Sequence, residues 1–339
     1  MSTRQKIKRV WWLPLGLFIL FNFKIEVAEA RMKMKADPKI KTTQNFKLSA
    51  DFPNIQQRAH RVGLLQLSVT NWGIFGSQMR DPEYKESKGG CFMLNPDEEV
   101  DAPSAEYPAG SDLEYLFQGG LWIGAVVEGQ YYATLGCDGW QWIYEMYPDG
   151  PAPKGAIIER STRPTVPCYS PDAVSEQDII AVYSDTAADP PLCPWCPDPF
   201  DQRDHFPLNI QITQKSYSWS YEYAEDFVLI DFSIKNIGVK RIQDMYVGLY
   251  VDGDVAHKDE NPYGAYGAQD DICGFKHLRT DLEEDCYDTV NLAWIADNDG
   301  HGDKDGGQSA QIFTTKSPIG ITGTRVVRSP TKLDYAFNW

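Results

Sequence analysis

The stretch Phe227-Val-Leu-Ile-Asp-Phe-Ser-Ile-Lys-Asn-Ile-Gly238 decides the fold. Val228, Ile230, Phe232 and Ile234 recur at every second residue, with Asp231, Ser233 and Lys235 between them. Side chains alternate across a strand, so this spacing gathers four apolar groups on one face and leaves the other for solvent. Asn236-Ile237-Gly238 then turns the chain, because Asn and Gly accept positive φ with little strain. Residues 245–251 read as the strand that returns from the turn.

The same pattern extends in both directions. Residues 178–184 and 210–222 read as strands. Further upstream, Leu65, Leu67 and Val69 alternate with Gln66, Ser68 and Thr70 before Asn71-Trp72-Gly73. Residues 121–127 and 131–135 form a hairpin around Glu128-Gly129-Gln130. No segment keeps a helical period, and 22 Pro and 27 Gly suit a chain of strands and turns. The expected fold is all-β: antiparallel β-sandwich modules, immunoglobulin-like or jelly-roll-like, with long loops. Pro-rich 148–177 marks a boundary. The expected division is a signal peptide over 1–30, a linker over 31–60, and sandwich domains over 61–165 and 166–339.

Residues 1–30 carry the order of an export signal. Arg4, Lys6, Lys8 and Arg9 precede an apolar run over 10–23, and Ala28-Glu29-Ala30 supplies a small-residue cleavage site. That run is shorter than the roughly 20 residues a spanning helix needs. The expected location is therefore outside the cell or on its surface, with no membrane span after cleavage.

Net charge is −16, and the exported part is more negative still, since the first 30 residues hold five basic and two acidic groups. Such a surface repels nucleic-acid phosphates and anionic lipids. It attracts cations. Two acidic runs follow apolar strands: Asp252-Gly-Asp254, with Asp270 and Asp271 downstream, and Asp297-Asn-Asp299-Gly-His-Gly-Asp303-Lys-Asp305. Carboxylates alternating in Gly-rich loops supply the oxygens a hard ion such as Ca²⁺ requires. The second run departs from the EF-hand pattern at His301 and Gln308. If the two strands are neighbours, both runs contribute to one Ca²⁺ site. No organic cofactor is expected.

Seven cysteines in an exported chain imply disulfides. Cys193 and Cys196 lie in a Pro-rich loop and read as its staple. Spacing alone does not fix the pairing, and Cys273 with Cys286 is the candidate local bridge across an acidic turn.

Tyr217, Trp219, Tyr221 and Tyr223 alternate with Ser216, Ser218, Ser220 and Glu222. All four aromatics fall on one strand face. The favoured placement is the sandwich interior, and an exposed row would instead stack on sugar rings. Catalytic motifs are absent: there is no G-x-S-x-G, H-E-x-x-H, P-loop or G-x-G-x-x-G. Glu222, Glu225 and Asp226 are the carboxylates a glycosidase reading would use.

The stretch 223–238 continued by Tyr246-Val-Gly-Leu-Tyr-Val-Asp252 resembles the adhesion-type immunoglobulin-like modules of bacterial surface proteins. More broadly, Tyr115-Leu-Phe-Gln-Gly-Gly-Leu-Trp-Ile-Gly124, Ala173-Val-Ser-Glu-Gln-Asp178 and Ala293-Trp-Ile-Ala-Asp-Asn-Asp-Gly300 resemble large uncharacterised secreted β-proteins of uncultured bacteria. That resemblance implies no activity. It does imply further C-terminal modules, in keeping with the strand-like ending at Trp339. Three roles are expected in order: a non-enzymatic adhesion or surface-assembly protein that meets extracellular protein or polysaccharide; the N-terminal portion of a polysaccharide-degrading enzyme; a carbohydrate-binding module.

Overall fold

The structure is a computed structural model. It describes residues 53–78, 85–137, 144–150, 153–189, 192–193, 196–199, 202–259, 271–278, 289–298, 315–330 and 336–338, together with the backbone of 17–19. Every regular element among them is a strand. The principal ones are β1 (Gln57–Ala59), β2 (Gln66–Thr70), β3 (Ile74–Phe75), β4 (Gln118–Val127), β5 (Gln130–Leu135), β6 (Gln177–Ser184), β7 (Ile210–Ser218), β8 (Leu229–Asn236), β9 (Ile242–Asp252), β10 (Ile272–Leu278), β11 (Thr289–Ala296) and β12 (Ile321–Thr324).

Two antiparallel sheets form the sandwich. In the first, β4 is central: β9 runs along one edge, while β5 and β3 share the other. β2 pairs with β3, and β1 with β2. In the second sheet the order is β6-β7-β8, with the short strand Ile158–Arg160 on the outer edge of β6. The expected hairpin is β4–β5, closed by Glu128 at φ 53° and Gly129 at φ 79°. Both values lie in the left-handed region that two-residue hairpin turns demand.

The return after Asn236 differs from the expectation. β9 does not lie against β8 but crosses to the first sheet and pairs with β4 over its whole length. The turn itself is as read: Gly238 N–H donates to Asn236 Oδ1 at 2.9 Å, and Asn236 Nδ2 donates to the Lys240 carbonyl. The crossing is what closes the sandwich. Leu121, Ile123, Ala125 and Val127 of β4, with Val247 of β9, pack against Ala181, Tyr183, Ile210 and Ile212 of the second sheet. A contiguous cluster joins Leu65, Leu67, Val69 and Phe75 to Ile179, Val228, Ile230 and Val255. Both cores thus draw on residues from either side of position 165. Each fully buried aliphatic side chain among them contributes roughly 1.5–3 kcal/mol.

A third antiparallel sheet, β10-β11-β12, stands beside the end of β9. Among the described residues two disulfides are formed. Cys193–Cys196 staples its Pro-rich loop, as expected, and both sulfurs are buried. Cys91–Cys168 joins residues 77 apart and had no sequence signal of its own. Cys273 is exposed on β10, while Cys286 lies outside the described residues. No helix among the described residues is long and apolar enough to cross a membrane.

Candidate functional site

β7 places the aromatic row, and it does so with the opposite parity to the one expected. Ile210, Ile212, Gln214, Ser216 and Ser218 face the interior. Tyr217 therefore points outward. The reason is a buried histidine. His60 has no exposed surface and fills the space beneath β7, with Nε2 2.7 Å from Ser216 Oγ and Nδ1 2.9 Å from Ser218 Oγ. Small hydroxylated residues are needed there, so the aromatics take the other face. Burial holds the imidazole neutral, with its pKa lowered to about 3. This arrangement superficially suggests a serine nucleophile and base. The complete burial of all three side chains gives no substrate access, and the contacts serve packing.

On the outer face Tyr217 sits between Asp178 of β6 and Leu229 of β8. The next rungs are Ile180–Lys215–Asp231, Val182–Thr213–Ser233 and Ser184–Gln211–Lys235. Partial burial raises the Tyr217 pKa, and the charges of Asp231 and Asp178 raise it further. The result is an aromatic ring at one end of a ladder of hydrogen-bonding side chains.

Beyond Tyr217 the row continues off the strand. Trp219 stacks near it with centroids 6.4 Å apart, and Phe227 closes on Trp219 at 6.1 Å. Tyr221 and Tyr223 lie in the following turn, 5.6 Å apart and nearly parallel, at 47% and 79% exposure. Exposed large aromatic surface costs hydration free energy and marks a contact site when it is contiguous.

The turn is held rigidly. Glu176 accepts both the Ser220 N–H, at 2.6 Å, and the Ser220 hydroxyl, at 2.8 Å, while Arg163 bridges Glu176 and Ser220. Burial pushes the Glu176 carboxyl up, but the Arg163 and Ser220 donors outweigh it and hold the pKa below the usual range. Glu225 O accepts from the amides of Leu64 and Leu65, and Tyr107 O–H donates to Asp226. A Cβ on Gly63 would stand 2.6 Å from Glu225 O and 2.9 Å from Trp219 O, so only Gly permits this close docking. Asp226, one of the carboxylates an enzyme would need, is thereby engaged in holding the turn, while Glu225 holds it through its backbone carbonyl.

The acidic residues divide. Asp252, at the end of β9, accepts the Tyr250 hydroxyl at 3.0 Å. Asp254 is only 7% exposed, and its pKa is pushed up to about 8 by burial and then by the Asp252 charge. Asp271 accepts the Val255 amide at 2.9 Å. Asp297 lies close enough to Tyr115 to help raise that phenol, whose pKa burial pushes up to about 12. β11 does adjoin this segment: a Cβ on Gly253 would meet Ile295 Cγ2 at 2.6 Å. Asp270, Asp299, Asp303 and Asp305 lie outside the described residues. Among the described residues no three His, Cys, Asp or Glu side chains gather into a metal cage.

No family model, no curated protein and no solved structure matches the chain.

Proposed function

We propose that this is an exported, non-enzymatic β-sandwich protein that adheres to polysaccharide through the outer face of β7 and the turn that follows it. The single observation that carries this reading is the exposed, stacked pair Tyr221 and Tyr223, adjoined by the half-buried rings of Tyr217 and Trp219. Aromatic faces carry negative potential and offer flat, apolar, low-entropy contact area. The C–H face of a pyranose ring is the matching surface. Lys215, Asp231, Thr213, Ser233 and Gln211, on the adjoining rungs, supply donors and acceptors for ring hydroxyls. Preorganisation by Glu176, Arg163 and Gly63 lowers the entropy lost on binding. The charge of the chain and its export signal favour an extracellular polysaccharide over nucleic acid.

The test is affinity electrophoresis of the purified protein through gels containing neutral and acidic polysaccharides. Retardation by at least one polymer is expected, relieved in Tyr221→Ala/Tyr223→Ala. Equal mobility of wild type and variant in every polymer would remove the proposal.

A further inference from the structure

The ladder on the outer face of the second sheet leads, at the end away from Tyr217, into a cleft. Its last rung runs Tyr147–Ser184–Gln211–Lys235. Directly paired residues share a face, so Tyr147 and Ser184 start on the same outer side as Gln211. Tyr147 is nevertheless buried there, because the stapled loop covers it: Tyr147 packs against Cys193 and Cys196. Between that loop and the rung lies a cleft of about 440 Å³. Small-molecule sites span roughly 300–1,000 Å³.

The lining is built for a ligand that is apolar on one side and hydroxylated on the other. Pro148 and Leu192 give apolar wall, and Asp149, Lys154, Ser184 and Thr186 give polar wall. The Asp149 carboxylate is exposed yet held in place. The Ser184 hydroxyl donates to its Oδ1 at 3.0 Å, and Gln211 Nε2 donates to its Oδ2 at 3.3 Å. Thr186 Oγ1 stands 3.0 Å from Ser184 Oγ and fixes that hydroxyl in turn. Each carboxylate oxygen has a second lone pair for a ligand. The Lys154 stem lies over Gly150, where a Cβ would meet its Cδ at 3.5 Å. The cleft thus joins a preorganised acceptor to a donor-only ammonium.

From this geometry we infer that the cleft is a second subsite, which holds one neutral sugar ring of the polysaccharide whose chain lies along β7. The inference rests on the polysaccharide reading and extends it. Neighbouring ring hydroxyls each donate and accept, so one gives its hydrogen to Asp149 while the next accepts from Lys154. The C–H face of the ring meets Pro148 and Leu192. An anionic ligand would meet Asp149 as a like charge, which selects against it. Gln211 and Tyr217 lie about 20 Å apart along β7, at about 3.3 Å per residue. One oligosaccharide chain therefore spans both subsites, and each raises the effective concentration of ligand at the other.

The test is amide NMR of the isotope-labelled chain, titrated separately with glucose, galactose, mannose and inorganic phosphate. At least one hexose is expected to shift the amides of Asp149, Gly150, Ser184 and Thr186, with Kd in the millimolar range. Asp149→Ala and Lys154→Ala should each weaken that binding at least threefold. Lys154 is exposed, so its loss leaves the fold intact. Tyr221→Ala/Tyr223→Ala should leave the hexose shifts unchanged. Silence of these amides with all three hexoses overturns the inference, as does wild-type affinity in both cleft variants. Shifts with phosphate and none with a hexose would make the cleft an anion site and overturn it too. Gel retardation that persists without the hexose shifts removes the cleft and leaves the aromatic face. Hexose shifts without any retardation remove the aromatic face instead.

Discussion

His60 Nε2 lies 2.7 Å from Ser216 Oγ in the closed interior between β1 and β7. That contact sets the parity of the whole of β7. With the serines committed to His60, Tyr217 has only the outer face, and the chain leaves the strand with Trp219 half-buried and Tyr221 and Tyr223 exposed. A core choice thus creates the candidate binding face.

The same histidine makes stability depend on pH. Its folded pKa of about 3 lies below the unfolded value near 6.5. The unfolded state therefore binds the extra proton between those values. His60 contributes its full stability above about pH 6.5 and loses it as pH falls toward 3. By pH 5 the loss is on the order of 2 kcal/mol. Glu159 and Asp185, both raised mainly by burial, act in the opposite direction. Urea melts of wild type and His60→Gln from pH 7 to 4 separate the two: the gap between the proteins should narrow on acidification. A constant gap would show that His60 does not titrate in this range.

Gly63 couples the fold to the aromatic turn. Gly63→Ala should force the turn off β7, because the new methyl meets two backbone carbonyls. The expected cost is about 1–3 kcal/mol of stability, together with weaker retention by polysaccharide gels. Gly124→Ala is the control, since its Cβ would meet nothing closer than 3.8 Å. Denaturation midpoints and electrophoretic mobility of the two variants provide the comparison.

The two disulfides should differ in weight. Cys91–Cys168 closes a loop with sequence separation 77, and Cys193–Cys196 one of separation 3. Chain-entropy arguments give about 4.5 kcal/mol for the long loop and about 2 kcal/mol for the short one. Cys91→Ala/Cys168→Ala should therefore lower the melting temperature more than Cys193→Ala/Cys196→Ala. The reverse order in calorimetry would mean that the short staple guards contacts beyond its own loop.

Tyr221 and Tyr223 should be dispensable for folding. They lie on the surface and stack on one another. Tyr221→Ala/Tyr223→Ala should change stability by no more than about 1 kcal/mol while lowering polysaccharide binding several-fold. A drop in melting temperature that accounts for the lost binding would make the pair structural.

Local pattern alone leaves β1, β3, β10 and β12 unplaced, but it places strands β2 and β4 to β9, the β4–β5 hairpin, the Asn236-Gly238 turn and the loop staple at Cys193–Cys196. Each rests on local physics: a two-residue side-chain period, positive φ at Glu128 and Gly129, or a three-residue separation. Which sheet β9 joins, which face of β7 is buried, and the meeting of Cys91 with Cys168 depend on contacts between segments remote in the chain. Period-two alternation says that two faces differ, and here one carried serines and the other aromatics. Hydrophobicity pointed to the aromatics as the interior. His60, remote in sequence from Ser216 and Ser218, reversed that choice because a buried imidazole must have hydrogen-bond partners on both nitrogens.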